Sequence, residues 1–236
     1  MIGADFEKIK FKLFGFDCLE PMALVTDSIV GILSIYFAYR LFKFSIDHPF
    51  YKNWMRFFLY FGLGAFAGGF AHAFYNYWDF YGKLFTWFMG PVSIYFMEKG
   101  MIAAHPSETW RKKVNKIALV KLIIVVATIT AIILTMDVSK NNRLAFLPVA
   151  INTIVGVVLS SGVLGNYLAK RINPNYKYIV WGVIILSPSA LLYLFKINLH
   201  QWFDKNDFAH ILMAAAITYF FIGIRKVAID DKLIKE

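Results

Sequence analysis

The stretch "NDFAHILMAAAITYFF", Asn206–Phe221, decides how this chain is read. From Ile211 onward it is apolar or aromatic but for Thr218, and it continues to Ile224. Such a run suits a bilayer or a protein core. It opens, however, on an amide, a carboxylate and an imidazole: Asn206, Asp207 and His210. Polar groups at the mouth of an apolar helix call for partners at the same depth.

The rest of the chain has the same character. Of its 236 residues, 59% are hydrophobic and 17% charged, against about 45–50% and about 25% in soluble domains. Apolar runs of roughly 18 residues or more read as transmembrane helices. They fall at Pro21–Phe42, Trp54–Trp78, Lys83–Ala104, Asn115–Met136, Leu144–Leu168, Tyr178–Phe195 and Asn206–Ile224. The connections are short, and no fixed-period repeat or low-complexity tract divides them. The expected fold is therefore an all-α integral membrane protein, a seven-helix bundle over residues 20–226. An interfacial segment, 1–19, precedes it and a tail, 227–236, follows. Residues 1–19 lack the basic start, apolar run and small-residue site of a cleavable signal peptide. Cys18 stands alone, so no intrachain disulfide forms.

Basic residues give an orientation. Sixteen Lys and Arg fall in the first, third and fifth loops and the C-terminal tail, and eight on the other side. Basic loops stay in the cytoplasm, which places the N-terminus outside and the C-terminus inside, in the cell membrane. The net charge of +10 is dispersed over short loops, and this excludes a nucleic-acid-binding face.

Polar residues then sort by depth. Glu20 sits at the outer lip of the first helix, and Asp27 lies seven residues deeper on the same face, about 10 Å along the axis. His72 and Asn76, in "FAGGFAHAFYNYW", fall four apart near the outer end of the second helix. Asn206, Asp207 and His210 open the seventh from the same side. Asn206 and Asp207 also read as helix N-caps. Asp27, two turns inside a span, needs a partner or a wet cavity. Two imidazoles and one or two carboxylates suit a divalent metal, zinc first, with His72, His210 and Asp27 as ligands and a position left for water. Such a metal lowers the pKa of bound water to about 7. Asp27 or Glu20 then serves as ligand or base, while Asn76, Asn206 and Asp207 offer hydrogen bonds. Glu98 and Lys99 are expected to reach the cytoplasmic interface, and Pro188 to kink the sixth helix.

With its acid-bearing first helix, "GGFAH" on the second and "NDFAH" on the seventh, the chain resembles the alkaline ceramidase superfamily. That group, often called CREST, includes the progestin and adipoQ receptors and the Per1-like proteins. Its second-helix pattern is serine, three residues, histidine; here Gly68 replaces the serine and His72 keeps the histidine. On the seventh helix the pattern is histidine, three residues, histidine; here Asn206 replaces the first and His210 keeps the second. Asp79 is the rough counterpart of the aspartate after helix two. Asp17 and Glu20, in "DCLEP", are similar to the acidic segment where ceramidases bind calcium.

The resemblance implies a metal-dependent membrane hydrolase that cuts a lipid amide or ester near the outer leaflet. The alternatives are a non-enzymatic ligand-binding receptor, or a transporter, using the same polar cavity. A retinal-binding reading fails, because no lysine lies between Asp207 and Arg225.

Overall fold

The computed structural model describes residues 3, 5–140 and 143–235. Residues 1, 2, 4 and 236 of the expected terminal segments lie outside the described residues. Among the described residues, seven long helices follow one another: α1 (Pro21–Lys43), α2 (Pro49–Ala73), α3 (Leu84–Ala103), α4 (Glu108–Thr135), α5 (Leu144–Arg171), α6 (Pro174–Leu194) and α7 (Lys205–Asp230). Five of them, α1, α4, α5, α6 and α7, are each long and apolar enough to cross a membrane. The second helix meets that test only together with the stretch that follows it, Tyr75–Ala103, to which it is bent by 85°. Length and composition thus give five spans, or six with that bent pair counted as one.

Local chemistry sets the helix starts. Proline stands in the first turn of α1 and α2, where its missing N–H costs nothing. His48 caps α2 by accepting the Phe50 N–H, and Ser107 caps α4 by accepting that of Trp110. A reciprocal capping box opens α7: Asp204 accepts the Asp207 N–H, and the Asp207 carboxylate accepts the Asp204 N–H. Pro188 divides α6 into two segments, Lys177–Leu186 and Pro188–Leu194.

The core joins α1, α2, α3 and α7 around aromatic side chains. Trp54, Phe58 and Phe220 are buried, and Phe37 stacks on Phe221 at 4.4 Å. Gly100 makes room for Trp54, since a Cβ there would lie 2.9 Å from the indole. By contrast, Ala118 and Ile129 are the buried residues of α4. Its Val120, Ile123, Ile124 and Leu134 are exposed. A continuous exposed apolar face of this kind suits lipid rather than water.

Hydrogen bonds sort the connections into two ends. At one, Asn76 donates to the Asp17 carbonyl, the Asp17 N–H donates to the Tyr77 hydroxyl, and Gln201 donates to the Glu7 carbonyl. At the other, Asn175 in the first turn of α6 donates to Asp230 at the end of α7.

Within the N-terminal segment, Lys10–Leu13 (β1) pairs antiparallel with Phe16–Leu19 (β2). Phe14 and Gly15, with φ of 49° and 86°, make the turn, the positive-φ pair of a two-residue hairpin loop. Lys12 and Asp17 face each other across it at 2.8 Å. Phe16 rests on Phe74 and Tyr77, so the hairpin docks on the link after α2.

Glu98 does not reach an interface as expected. It is buried and pairs with Lys121 of α4 at 2.5 Å. A carboxylate inside an apolar bundle is costly unless compensated, and Lys121 is the cation within reach. Gly156 of α5 lets the helix close over this pair, with a Cβ there 3.0 Å from Glu98 Oε1 and 3.3 Å from Lys121 Nζ.

Candidate functional site

At the hairpin end, two carboxylate–imidazole pairs come together. Glu20 precedes Pro21 in a left-handed conformation, φ 51°, which turns its side chain back toward α2. There Glu20 Oε2 lies 2.7 Å from His72 Nδ1 and 2.7 Å from Lys8 Nζ. Burial pushes the Glu20 carboxyl up, but the hydrogen bond and charge of His72, helped by Lys8, overcome it and hold the group down at about 2.

The second pair joins α1 to α7. Asp27 Oδ1 lies 3.3 Å from His210 Nε2, both side chains being buried. The other ring nitrogen, His210 Nδ1, lies 2.9 Å from the Thr26 hydroxyl. That hydroxyl also lies 2.9 Å from the Met22 carbonyl and 3.3 Å from Asp207 Oδ1. The two pairs are close enough for Glu20 and His72 to act electrostatically on His210, and for Glu20 and Asp207 to act on Asp27.

Close helix packing produces this arrangement. At Gly69 a Cβ would stand 3.0 Å from the Asp27 Cβ and 3.3 Å from the Leu24 carbonyl. At Gly68 it would stand 3.4 Å from Asp27 Oδ2. Gly69 lets α1 and α2 approach, which carries Asp27 between α2 and α7.

The proton count of the second pair is informative. Threonine has one hydroxyl hydrogen, and neutral histidine one N–H. With both carboxylates ionised, these two hydrogens serve the four close contacts just described. One further proton lets His210 donate to Asp27 and to Thr26 while Thr26 donates onward. Asp27, His210, Thr26 and Asp207 thus form one continuous chain of buried polar contacts.

His72 pairs with Glu20, and His210 with Asp27, whereas the sequence reading gathered His72, His210 and Asp27 around one metal. Asn206 accepts from the Tyr193 hydroxyl at 2.6 Å and donates to Asp204. Asn76 holds the Asp17 carbonyl at 3.2 Å. Both amides fix the frame rather than face an imidazole. Asp79 opens the helical turn between α2 and α3. Thr26 and Lys8 were missed. The alternation of Lys8, Lys10 and Lys12 with Ile9, Phe11 and Leu13 is the period-two signal that marks this segment as extended.

A catalytic zinc takes three protein ligands and a water. For zinc–ligand bonds of about 2.0–2.1 Å, neighbouring corners of a tetrahedron lie about 3.3 Å apart. Asp27 Oδ1 and His210 Nε2 have that separation. Among the described residues, no group of three His, Cys, Asp or Glu side chains is placed to hold one ion, and His72 Nδ1 is turned to Glu20. Asp27 and His210 alone have the spacing of two zinc ligands, and a third is not placed beside them among the described residues.

The chain belongs to a family described as "Family of unknown function (DUF6962)", whose model matches residues 22–229. No curated protein and no solved structure matches it.

Proposed function

We propose that this family member is a seven-span membrane protein, N-terminus outside, whose hairpin-end cluster hydrolyses an amide or ester of a membrane lipid. The observation that carries the reading is the pair of carboxylate–imidazole dyads, drawn from α1, α2, α7 and the residue before α1. The exposed apolar face of α4 supports the membrane setting. The sixteen-to-eight division of basic residues supports the orientation. Kinship with the alkaline ceramidase superfamily belongs to the same proposal and rests on "GGFAH" and "NDFAH".

In this scheme Glu20 accepts the His72 Nδ1 hydrogen, which leaves the Nε2 lone pair to take a proton from water. The water oxygen bonds to the lipid carbonyl carbon. The carbon–nitrogen or carbon–oxygen bond then breaks, and the leaving amine or alcohol takes a proton from His72 or from the His210 chain. Asp27 and Asp207 hold that chain in register. A general base at an otherwise complete site contributes typically 10²–10⁴-fold.

The test uses purified protein and acyl-amide and acyl-ester lipid probes. His72→Ala is expected to lower turnover by about 10²-fold or more, and Glu20→Gln by less. Equal turnover in wild type and His72→Ala overturns the scheme. Metal analysis separates it from the metal-dependent hydrolysis implied by the resemblance: stoichiometric zinc with chelator-sensitive turnover favours the latter. The second reading is a ligand-binding receptor or transporter that does no chemistry. His210 favours it, because both ring nitrogens are engaged by protein groups.

A further inference from the structure

A second site lies at the opposite end of the bundle, away from both dyads. A cavity of about 310 Å³ opens there between the starts of α2 and α4 and the end of α3. It is lined by His48, Pro49, Ala103, Arg111 and Asn115. That volume is at the small end of the usual range for ligand sites, about 300–1,000 Å³. Among the described residues, no carboxylate lines it.

Two side chains bring hydrogen-bond donors to this cavity. Arg111 is anchored through one nitrogen: its Nη1 donates to the His105 carbonyl at 2.7 Å and to the Pro106 carbonyl at 3.4 Å. Among the described residues, its Nε and Nη2 meet no protein acceptor. The residue is half-buried, and neither nitrogen is sealed from solvent. A guanidinium presents such donors as a rigid planar fork that matches phosphate. His48 is exposed, and its Nδ1 accepts the Phe50 N–H. The hydrogen of the neutral ring therefore sits on Nε2, which is a donor.

The surrounding charge favours an anion. Helix N-termini carry partial positive charge and C-termini partial negative charge. α2 and α4 present N-termini here, and α3 a C-terminus. The protein itself meets much of the α3 end: the Met101 and Ile102 carbonyls accept the Ala104 and His105 N–H groups, and Arg111 takes the next two carbonyls. The acids nearest in sequence to the lining residues are Asp47 and Glu108. Each has its own lysine, Lys52 at 2.5 Å and Lys112 at 2.6 Å. What remains is basic: Arg111, with Lys113 and Lys116 on the same two turns of α4.

We infer that this cavity binds a phosphate group, held by the Arg111 fork and the His48 Nε2–H. Arginine pairs with phosphate through two parallel N–H bonds. The phosphate has two sources. One is the monoester headgroup of an anionic lipid, since basic pockets between membrane helices take such headgroups. The other is a soluble phosphate ester.

The test titrates the full chain, in discs of choline lipid, with glycerol phosphate, and compares glycerol. Glycerol phosphate is expected to bind saturably, and glycerol not at all. Arg111→Gln is expected to weaken binding about tenfold, the loss of charge-assisted hydrogen bonds. His48→Asn keeps a capping oxygen for α2 and is expected to weaken binding severalfold; it carries the test if Arg111→Gln does not fold. Lys113→Gln with Lys116→Gln, outside the cavity, is expected to change affinity little. Two further discs, of equal charge, contain phosphatidic acid or a phosphodiester lipid. Loss of soluble binding in the first alone assigns the site to the headgroup, and equal binding in both assigns it to a soluble compound. Absence of saturable binding in choline discs, equal binding of glycerol, or unchanged affinity in the cavity variants overturns the inference. So does a loss in the double lysine variant as large as in Arg111→Gln.

Discussion

Acid should loosen the hairpin end by a route that Glu20 controls. Burial alone would raise this carboxyl, yet His72 and Lys8 hold it at about 2, against an ordinary value of 4.5. At about 1.4 kcal/mol per pH unit, the difference is worth about 3 kcal/mol. The folded value lies below the unfolded one. The contribution is therefore fully present above about pH 4.5 and is lost as the pH falls toward 2. Thermal unfolding of the solubilised protein, followed from about pH 6 down to about pH 2.5, should show a falling midpoint in wild type. In Glu20→Gln the midpoint should start lower, because the charged hydrogen bonds to His72 and Lys8 are gone, and should fall less steeply. Other carboxylates titrate alike in both proteins and cancel in the comparison. Parallel curves for the two proteins would refute the assignment of this increment to the Glu20 knot.

Gly69→Ala should destabilise by about 1–3 kcal/mol through overpacking against Asp27 and Leu24, whereas Gly68→Ala, with ordinary contact distances, should be neutral or stabilising; thermal midpoints distinguish them. Lys121→Met should cost about 3–5 kcal/mol by stranding the Glu98 carboxylate, and the double variant with Glu98→Met should recover much of that loss. If the double variant is the worse of the two, the pair is not acting as a compensated charge. Gly15→Val, at φ 86°, should strain the hairpin turn by about 1–3 kcal/mol and raise amide exchange in residues 10–19 while leaving α2 protected.

The seven helices and their order were legible from the apolar runs, although five of them, or six spans with the bent pair counted as one, are long and apolar enough to cross a membrane. The positions of Glu20, Asp27, His72 and His210 at one end followed from counting along helices that alternate in direction. Which carboxylate meets which imidazole was not legible. Depth comes from residue number, but rotation about each axis depends on the close approach at Gly69, and the direction of the Glu20 side chain depends on the left-handed backbone before α1. The hairpin was missed because its large apolar residues and lysines also suit an interfacial segment, although the lysine alternation was present. Glu98 was misplaced for a similar reason. Its closeness in sequence to the end of α3 pointed to an interface, while its partner, Lys121, lies on a different helix.

In the proposed scheme the hairpin-end cluster adds water to a lipid carbonyl. The most direct measurement incubates the purified protein, reconstituted in a total lipid extract, in water labelled with oxygen-18. Released fatty acids are then analysed by mass spectrometry. The account predicts that wild type releases acid carrying one labelled oxygen from solvent and that His72→Ala releases little. Release without label, or the same labelled release from both proteins, would contradict it.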